Sequence, residues 1–312
     1  MRLIKHDEIA RLLDWARMIE GLEDLLRQGA EAPQRLNFDL ATPGGGQGSL
    51  LVMPAWIPNE LIGIKLVTFF PNNGAAGLPT ISAAYLAFDG STGQLKGVLD
   101  GDELTARRTA AASAVAAKRL ARSDANRLLV IGTGQLSSKM VMAHASVRPL
   151  SAIEVFGRDP LKAEAVVTLL HQHGIKASVS EDLTSSVGSA DIISCVTSAT
   201  SPVLEGTWLK PGAHVDLVGG FRPDMREADG EVVRRASVFV DVRQGAVLAG
   251  DLAQPIAEGL LSESDIKADL TELVRGEHPG RSGAEEITLF KSVGHALEDL
   301  AAARVVLSRE TD

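Results

Sequence analysis

The stretch Leu128-Leu129-Val130-Ile131-Gly132-Thr133-Gly134-Gln135-Leu136-Ser137 joins an apolar run to a helical segment through two closely spaced glycines. Chemistry enters here through backbone geometry. Gly132 permits a tight turn, and Gly134 lets the chain approach a pyrophosphate closely. The helix that follows offers unpaired N–H groups and the positive end of its dipole. Gly132, Thr133, Gly134, Gln135 and Leu136 are therefore expected at a dinucleotide, with Ser137 standing where a third glycine or alanine is usual. A lone glycine pattern carries little weight; this one ends a strand, opens a helix and sits in an alternating series.

The next strand, Ala152 to Phe156, ends on Gly157-Arg158-Asp159. An NAD site places an acid at this point to hold the ribose 2′-hydroxyl. Gly157 occupies it instead, and Arg158 follows. A guanidinium beside a small residue forks onto a 2′-phosphate and leaves room for it. NADP(H) is the expected cofactor, with NAD(H) possible. Asp159 is read as the cap of the following helix.

Lys65 is the second residue of interest. It lies within Ile62-Gly63-Ile64-Lys65-Leu66-Val67-Thr68-Phe69-Phe70, an otherwise apolar strand, where burying an ammonium without a function is costly.

These groups need a scaffold, and the patterning outlines one. His6 to Arg27 repeats apolar residues at helical spacing, with Asp7 as the expected cap. A turn, Gly44-Gly45-Gly46-Gln47-Gly48, precedes strand-like Leu50 to Met53. Two further strands flank the loop Pro71 to Pro79, and Asp89 to Gly93 closes a hairpin into Leu95 to Leu99. Asp102 to Arg122 reads as an Ala-rich connecting helix. From Asn126 strands and helices alternate, with strands at Arg127 to Ile131, Ala152 to Phe156, Ala177 to Val179, Ile192 to Val196 and Ala213 to Leu217. The second half of Glu285 to Ser308 is helical. The fold class is α/β: a helix and an antiparallel sheet, followed by a Rossmann-type doubly wound parallel sheet.

Bulk properties narrow the function. The chain has 312 residues, 45 % hydrophobic and 23 % charged, which excludes disorder. A net charge of −9 argues against nucleic acid or an anionic membrane as partner. The single cysteine, Cys195, fits a reducing compartment and suggests packing in a core strand. Acids in Met1 to Glu8 do not suit a signal peptide, and no run reaches the ~20 apolar residues of a membrane span. A cytoplasmic protein is expected. The seven histidines show no metal-site spacing, so no metal is expected, and the charged run Asp224 to Arg235 reads as a solvated helix.

Five further segments occur in order: Gly63-Ile64-Lys65, Pro79-Thr80, Thr105-Ala106-Arg107-Arg108-Thr109-Ala110-Ala111-Ala112, Gly219-Gly220-Phe221-Arg222-Pro223-Asp224-Met225-Arg226-Glu227, and Phe290-Lys291-Ser292-Val293-Gly294. Together with the glycine loop they resemble the ornithine cyclodeaminase/mu-crystallin family over nearly the whole chain. The resemblance implies a homodimer acting on a small amino or imino acid, with residues 1–118 and 297–312 as an α+β substrate-binding/dimerisation domain and residues 119–296 as the Rossmann dinucleotide-binding domain. It implies Arg35, Lys65 and Arg108 around the substrate carboxylate, with Lys65 and Arg108 catalytic and Met53 and Phe221 against the substrate. It adds Thr80, Arg108, Thr197, Val218 and Ser292 to the cofactor set. Arg107 adjoins Arg108, but the Arg-Thr-Ala-Ala match favours Arg108.

One departure selects among the family's reactions. Where the cyclodeaminases and related alanine dehydrogenases carry an Asp for amine chemistry, this chain has Phe221, which can neither shuttle a proton nor offset an ammonium. The acid expected before a Met-Pro pair is also replaced, by Leu51 and Val52 ahead of Met53-Pro54. The resemblance therefore implies reduction of a cyclic imino acid, Δ1-pyrroline-2-carboxylate or Δ1-piperideine-2-carboxylate, by NAD(P)H. The alternatives are an NAD-dependent ornithine cyclodeaminase and a non-catalytic crystallin-like binding protein.

Overall fold

A computed structural model describes residues 2–41 and 47–308. The chain divides into two compact units, Met1–Arg108 with His295–Asp312, and Thr109–Gly294. The division falls inside the helix Gly101–Leu120, rather than at the expected 118/119 and 296/297. An unbroken helix gives no local sign of where its packing partners change.

The first unit is built on a six-stranded sheet: β1 (Arg2–Ile4), β2 (Leu36–Ala41), β3 (Gln47–Ile57), β4 (Leu61–Phe69), β5 (Ile81–Asp89) and β6 (Leu95–Asp100), in the order β1-β6-β5-β4-β3-β2. β2 to β6 are antiparallel, and β1, whose three residues carry no strand pattern of their own, pairs parallel with β6. Of the expected turn Gly44–Gly48, Gly44–Gly46 lie outside the described residues, while Gln47 and Gly48 open β3 instead.

The expected helix over His6 to Arg27 is two helices, His6–Leu12 and Trp15–Gln28. Asp14 breaks it: its backbone is extended, and its carboxylate accepts from Arg17 N at 3.1 Å to cap the second helix. Asp7 is inside the first helix and Lys5 is its N-cap, without a side-chain bond. The second helix buries Met18, Ile19, Leu22, Leu25 and Leu26 along one stripe. The helix Ala296–Ser308 packs on it and on β3 and β4, which brings two acids of that helix, Glu298 and Asp299, into the interior of this unit.

The second unit carries an eight-stranded, all-parallel sheet: β7 (Arg127–Ile131), β8 (Ala152–Phe156), β9 (Ser178–Val179), β10 (Ile192–Cys195), β11 (His214–Leu217), β12 (Ala236–Val240), β13 (Ala268–Asp269) and β14 (Ile287–Lys291). Its order is β13-β12-β14-β11-β10-β7-β8-β9. The chain moves outward from β7 through β8 and β9, then returns to β10 on the other side. The strand order thus reverses between β7 and β10, where a doubly wound sheet opens a crevice at its carboxyl edge. Leu129, Ile131, Ile193, Cys195, Val215, Leu217, Val238, Val240 and Leu289 form one core under this sheet. Among the described residues no helix is long and apolar enough to cross a membrane.

Candidate active site

In the first unit the strand registers set up a row. Met53 pairs with Lys65, Lys65 with Tyr85, and Tyr85 with Leu99, so these four side chains share one face. All are buried, Lys65 to 1 % exposure. Arg35 immediately precedes Leu36, which pairs with Val52, so continuing that register by one residue brings Arg35 level with Met53. It is half-buried.

The Lys65 ammonium reaches the helix Ala296–Ser308. Its Nζ donates to Asp299 Oδ1 at 2.9 Å and stands 2.8 Å from Oδ2. Arg108, on the helix Gly101–Leu120, meets the same acid: Nε donates to Asp299 Oδ1 at 2.9 Å, and Nη1 to Glu298 Oε2 at 2.6 Å. Two cations and two carboxylates are thus assembled out of water around one joint, Asp299. Burial, with Arg108 second, pulls the Lys65 pKa from 10.5 down to about 8, and Asp299 offsets this only in part. Lys65 is therefore an ammonium that gives up its proton within the range in which enzymes work.

Arg107 is committed elsewhere. Its Nε donates to Glu103 Oε1 at 2.6 Å, Nη1 to the Leu13 carbonyl at 2.7 Å, and its guanidinium lies 5.1 Å from the Trp15 ring centre. Thr80 immediately precedes β5, five residues ahead of Tyr85, and its carbonyl accepts from Phe70 N at 2.8 Å. The structure does not bring it to the Lys65 row.

In the second unit the remaining expected cofactor residues line the carboxyl edge of the sheet. Gly132 to Leu136 follow β7, Gly157 and Arg158 follow β8, Thr197 follows β10, Val218 follows β11 and Ser292 follows β14. Gly132 has φ 126°, and a Cβ there would stand 2.7 Å from the Val196 carbonyl oxygen, so only glycine fits this turn. Gly134 is the N-cap of the helix Gln135–Val147 and offers no capping side chain, while a Cβ built on it would meet nothing within 4 Å. Open space above uncapped amides is what a pyrophosphate requires, so this edge fits a dinucleotide. Ser137 Oγ donates to the Gly132 carbonyl at 2.8 Å, which fastens the loop in place of the third glycine.

Gly157 packs on the same loop, since a Cβ on it would be 2.4 Å from Thr133 Cγ2. Asp159 caps the helix Pro160–Gln172 by accepting from Leu161 N at 3.1 Å, as its spacing suggested. Arg158 is exposed and makes no hydrogen bond or ion pair with other described residues. The Ser292 hydroxyl donates to Asp241 Oδ2 at 3.0 Å, beside the Val293 and Gly294 amides at 2.7 and 2.6 Å. Phe221 is half-buried in the loop beyond β11.

The charged run Asp224 to Arg235 is not a solvated helix. Only Gly230–Arg235 is helical, and Arg226 and Glu227 ahead of it are buried. Glu298 and Asp299 are further site residues that the sequence did not single out. An acidic pair inside the Ala- and Leu-rich segment 296–307 was the available signal, because a lysine buried in an apolar strand needs a carboxylate from somewhere. Among the described residues no group of three or more His, Cys, Asp or Glu could hold a metal ion.

The sequence profile of the ornithine cyclodeaminase/mu-crystallin family matches residues 3–312. The chain belongs to this family. Within it, the chain is 37 % identical over 309 residues to the Δ1-pyrroline-2-carboxylate reductase of Paracoccus denitrificans, covering 98 % of this chain and 96 % of that one. Its fold is similar to the Thermococcus litoralis Δ1-pyrroline-2-carboxylate reductase solved with NADH and L-proline, at TM-score 0.93 and 32 % identity, covering 100 % of this chain and 98 % of that one. It is also similar to an archaeal alanine dehydrogenase dimer with bound NAD, at TM-score 0.91 and 27 % identity, covering 99 % and 97 % of the two chains.

Proposed function

We propose that this family member reduces cyclic imino acids with a nicotinamide cofactor, converting Δ1-pyrroline-2-carboxylate to L-proline and Δ1-piperideine-2-carboxylate to L-pipecolate. The observation that carries this reading is the buried Lys65–Arg108 pair on Asp299. A pair of cations held out of water suits a small carboxylate. Arg35, level with Met53, is the third cation of the set. Met53 contributes apolar surface to the ring, and so does Phe221.

The bound dinucleotide supplies hydride to the imine carbon. An imine accepts hydride readily once its nitrogen is protonated, so the chain must hold a proton nearby. Lys65 Nζ is the holder: with a pKa of about 8 it is charged at neutral pH and loses its proton more easily than an ordinary lysine. Phe221 provides neither base nor counter-charge, and reduction in this direction requires neither. Steady-state oxidation of NADPH or NADH with Δ1-pyrroline-2-carboxylate tests the reading. Substrate-dependent oxidation with L-proline as product supports it, and an inert enzyme with either cofactor removes it.

NADP(H) is the preferred cofactor in this reading. Gly157 leaves no acid to oppose a 2′-phosphate, and Arg158 is exposed with its guanidinium unengaged by other described residues. Arg158→Ala is expected to weaken NADPH by about 1–3 kcal/mol, the scale of a charged hydrogen bond, with little effect on NADH. Comparing kcat/KM for both cofactors checks this, and equal losses would show that Arg158 does not read the phosphate.

We place the enzyme in the cytoplasm, in keeping with its single, buried cysteine. We also propose that it works as a homodimer through its first unit. β2 is the edge strand there, and it leaves Leu36 and Phe38 54 % and 48 % exposed, an apolar edge that single soluble chains avoid.

A further inference from the structure

Glu227 is fully buried at the carboxyl edge of the parallel sheet, and four donors converge on its carboxylate. Oε1 accepts from Thr197 N at 2.6 Å and from Thr197 Oγ1 at 2.9 Å. Oε2 accepts from Gly219 N at 2.7 Å and Gly220 N at 3.2 Å. One oxygen thus holds the loop leaving β10, the other the loop leaving β11. The two loops touch: a Cβ on Gly219 would fall 1.9 Å from the Thr197 carbonyl oxygen. No apolar side chain could fill so narrow a gap, so a carboxylate does the joining.

The carboxylate is itself anchored. Glu227 N donates to Asp251 Oδ1 at 2.6 Å, and Lys291 Nζ, from β14, donates to Asp251 Oδ2 at 2.9 Å. The Glu227 carbonyl accepts from Val203 N and Leu204 N at 2.8 and 3.0 Å. Asp251, Lys291, the Cys195 thiol and the neighbouring Arg226 are the titratable groups around it. Arg226 turns its guanidinium to the Ala228 carbonyl, Gln254 and Glu258. Glu227 and Asp251 together have one buried cation between them.

We propose that Glu227 is a positioning residue for the cofactor: its ionised carboxylate holds the β10 and β11 loops in the shape that binds the dinucleotide. This rests on the cofactor reading given above, since both loops stand beside the glycine loop at the same edge. All four donors are satisfied only by the ionised group: a proton on Oε2 would face the Gly219 and Gly220 N–H groups, and one on Oε1 would turn the Thr197 hydroxyl from donor to acceptor. Burial, aided by Asp251, raises the Glu227 pKa from 4.5 to about 7 against the pull of Lys291. The sign follows. The clamp is complete above pH 7 and is lost as pH falls through 7, and dinucleotide affinity falls with it.

The test is fluorescence titration of the full chain with NADH between about pH 6 and pH 8. NADH is chosen because it lacks the 2′-phosphate, whose own ionisation near pH 6 would blur the profile. Wild-type affinity is expected to strengthen as pH rises through 7. E227Q is expected to bind about tenfold more weakly at pH 8 and to show no such dependence, as its amide meets donors with donors. An E227Q protein that matches wild-type affinity and profile overturns the proposal while leaving the cofactor reading intact. If E227Q does not fold, the wild-type profile decides: affinity constant across the range is contrary to the proposal. Absence of NADH and NADPH binding by the wild type at every pH would overturn the cofactor reading and this proposal together.

Discussion

Replacing Lys65 by alanine is expected to lower turnover of the cyclic imine by roughly 10²-fold or more, the scale of a lost acid–base group. Dinucleotide binding should remain close to wild type, since Lys65 is not among the residues expected at the dinucleotide. The pH profile carries a finer expectation. Burial and Arg108 hold the Lys65 pKa at about 8, below its ordinary 10.5. The charged form is therefore present below pH 8 and is lost as pH rises through it, so kcat/KM should fall along an alkaline limb near pH 8. In Lys65→Arg the side chain stays charged at any working pH, and that limb should move upward or vanish. An unchanged limb in Lys65→Arg would assign the ionisation to the substrate, and wild-type turnover in Lys65→Ala would make Lys65 purely structural.

Asp299→Ala is expected to destabilise the protein by about 3–5 kcal/mol, the cost of removing one partner from a buried ion pair. Asp299 Oδ1 alone accepts from both Lys65 and Arg108 at 2.9 Å. Without it, buried Lys65 loses the carboxylate to which it donates, while Arg108 keeps its bond to Glu298 at 2.6 Å. That loss is a large part of the 5–15 kcal/mol by which a protein is typically stable. Asp299→Asn keeps the shape and removes the charge that supports the ammonium, so its alkaline limb should move below pH 8. Urea unfolding at neutral pH measures the first effect. A change within about 0.5 kcal/mol, the usual range for surface substitutions, would show that Asp299 is not the joint of the cluster.

How much of this was legible in the chain depended on whether the signal was local. The strands Arg127–Ile131 and Ala152–Phe156 have the bounds that their patterning indicates, because each is an apolar run that stops at a glycine. The glycine loop and the Asp159 cap are likewise set by neighbours within a few residues. The strands Ala236–Val240 and Ile287–Lys291 escaped notice. Neither stops at a glycine, and the second ends on a lysine that Asp251 meets from another element.

The same reasoning covers the acids. Lys65 and Asp299 are 234 residues apart, so no spacing could pair them. Glu227 lies among Asp224, Arg226 and Asp229, a local pattern that ordinarily means a solvated surface. Only the tertiary arrangement of two glycine amides and Thr197 reveals a carboxylate site there. Phe221 and Arg158 stood out for the opposite reason. Each is conspicuous as the wrong residue type at a position whose chemistry is otherwise known.

Phe221 also defines the most direct test of imine reduction as the activity. Ornithine reaches an enzyme carrying ammonium groups, and oxidising an amine requires a base to take a proton as hydride leaves. A carboxylate can do both this and the stabilisation of the cation; a benzyl side chain can do neither. The acid ahead of Met53-Pro54 is missing as well, with Leu51 and Val52 in its place. The measurement is ammonia release from L-ornithine with NAD by the unmutated protein, set beside NADPH oxidation with Δ1-pyrroline-2-carboxylate. The account predicts cofactor oxidation with the imine and no ammonia from ornithine. Sustained, ornithine-dependent ammonia release would contradict it and make the protein a cyclodeaminase despite Phe221.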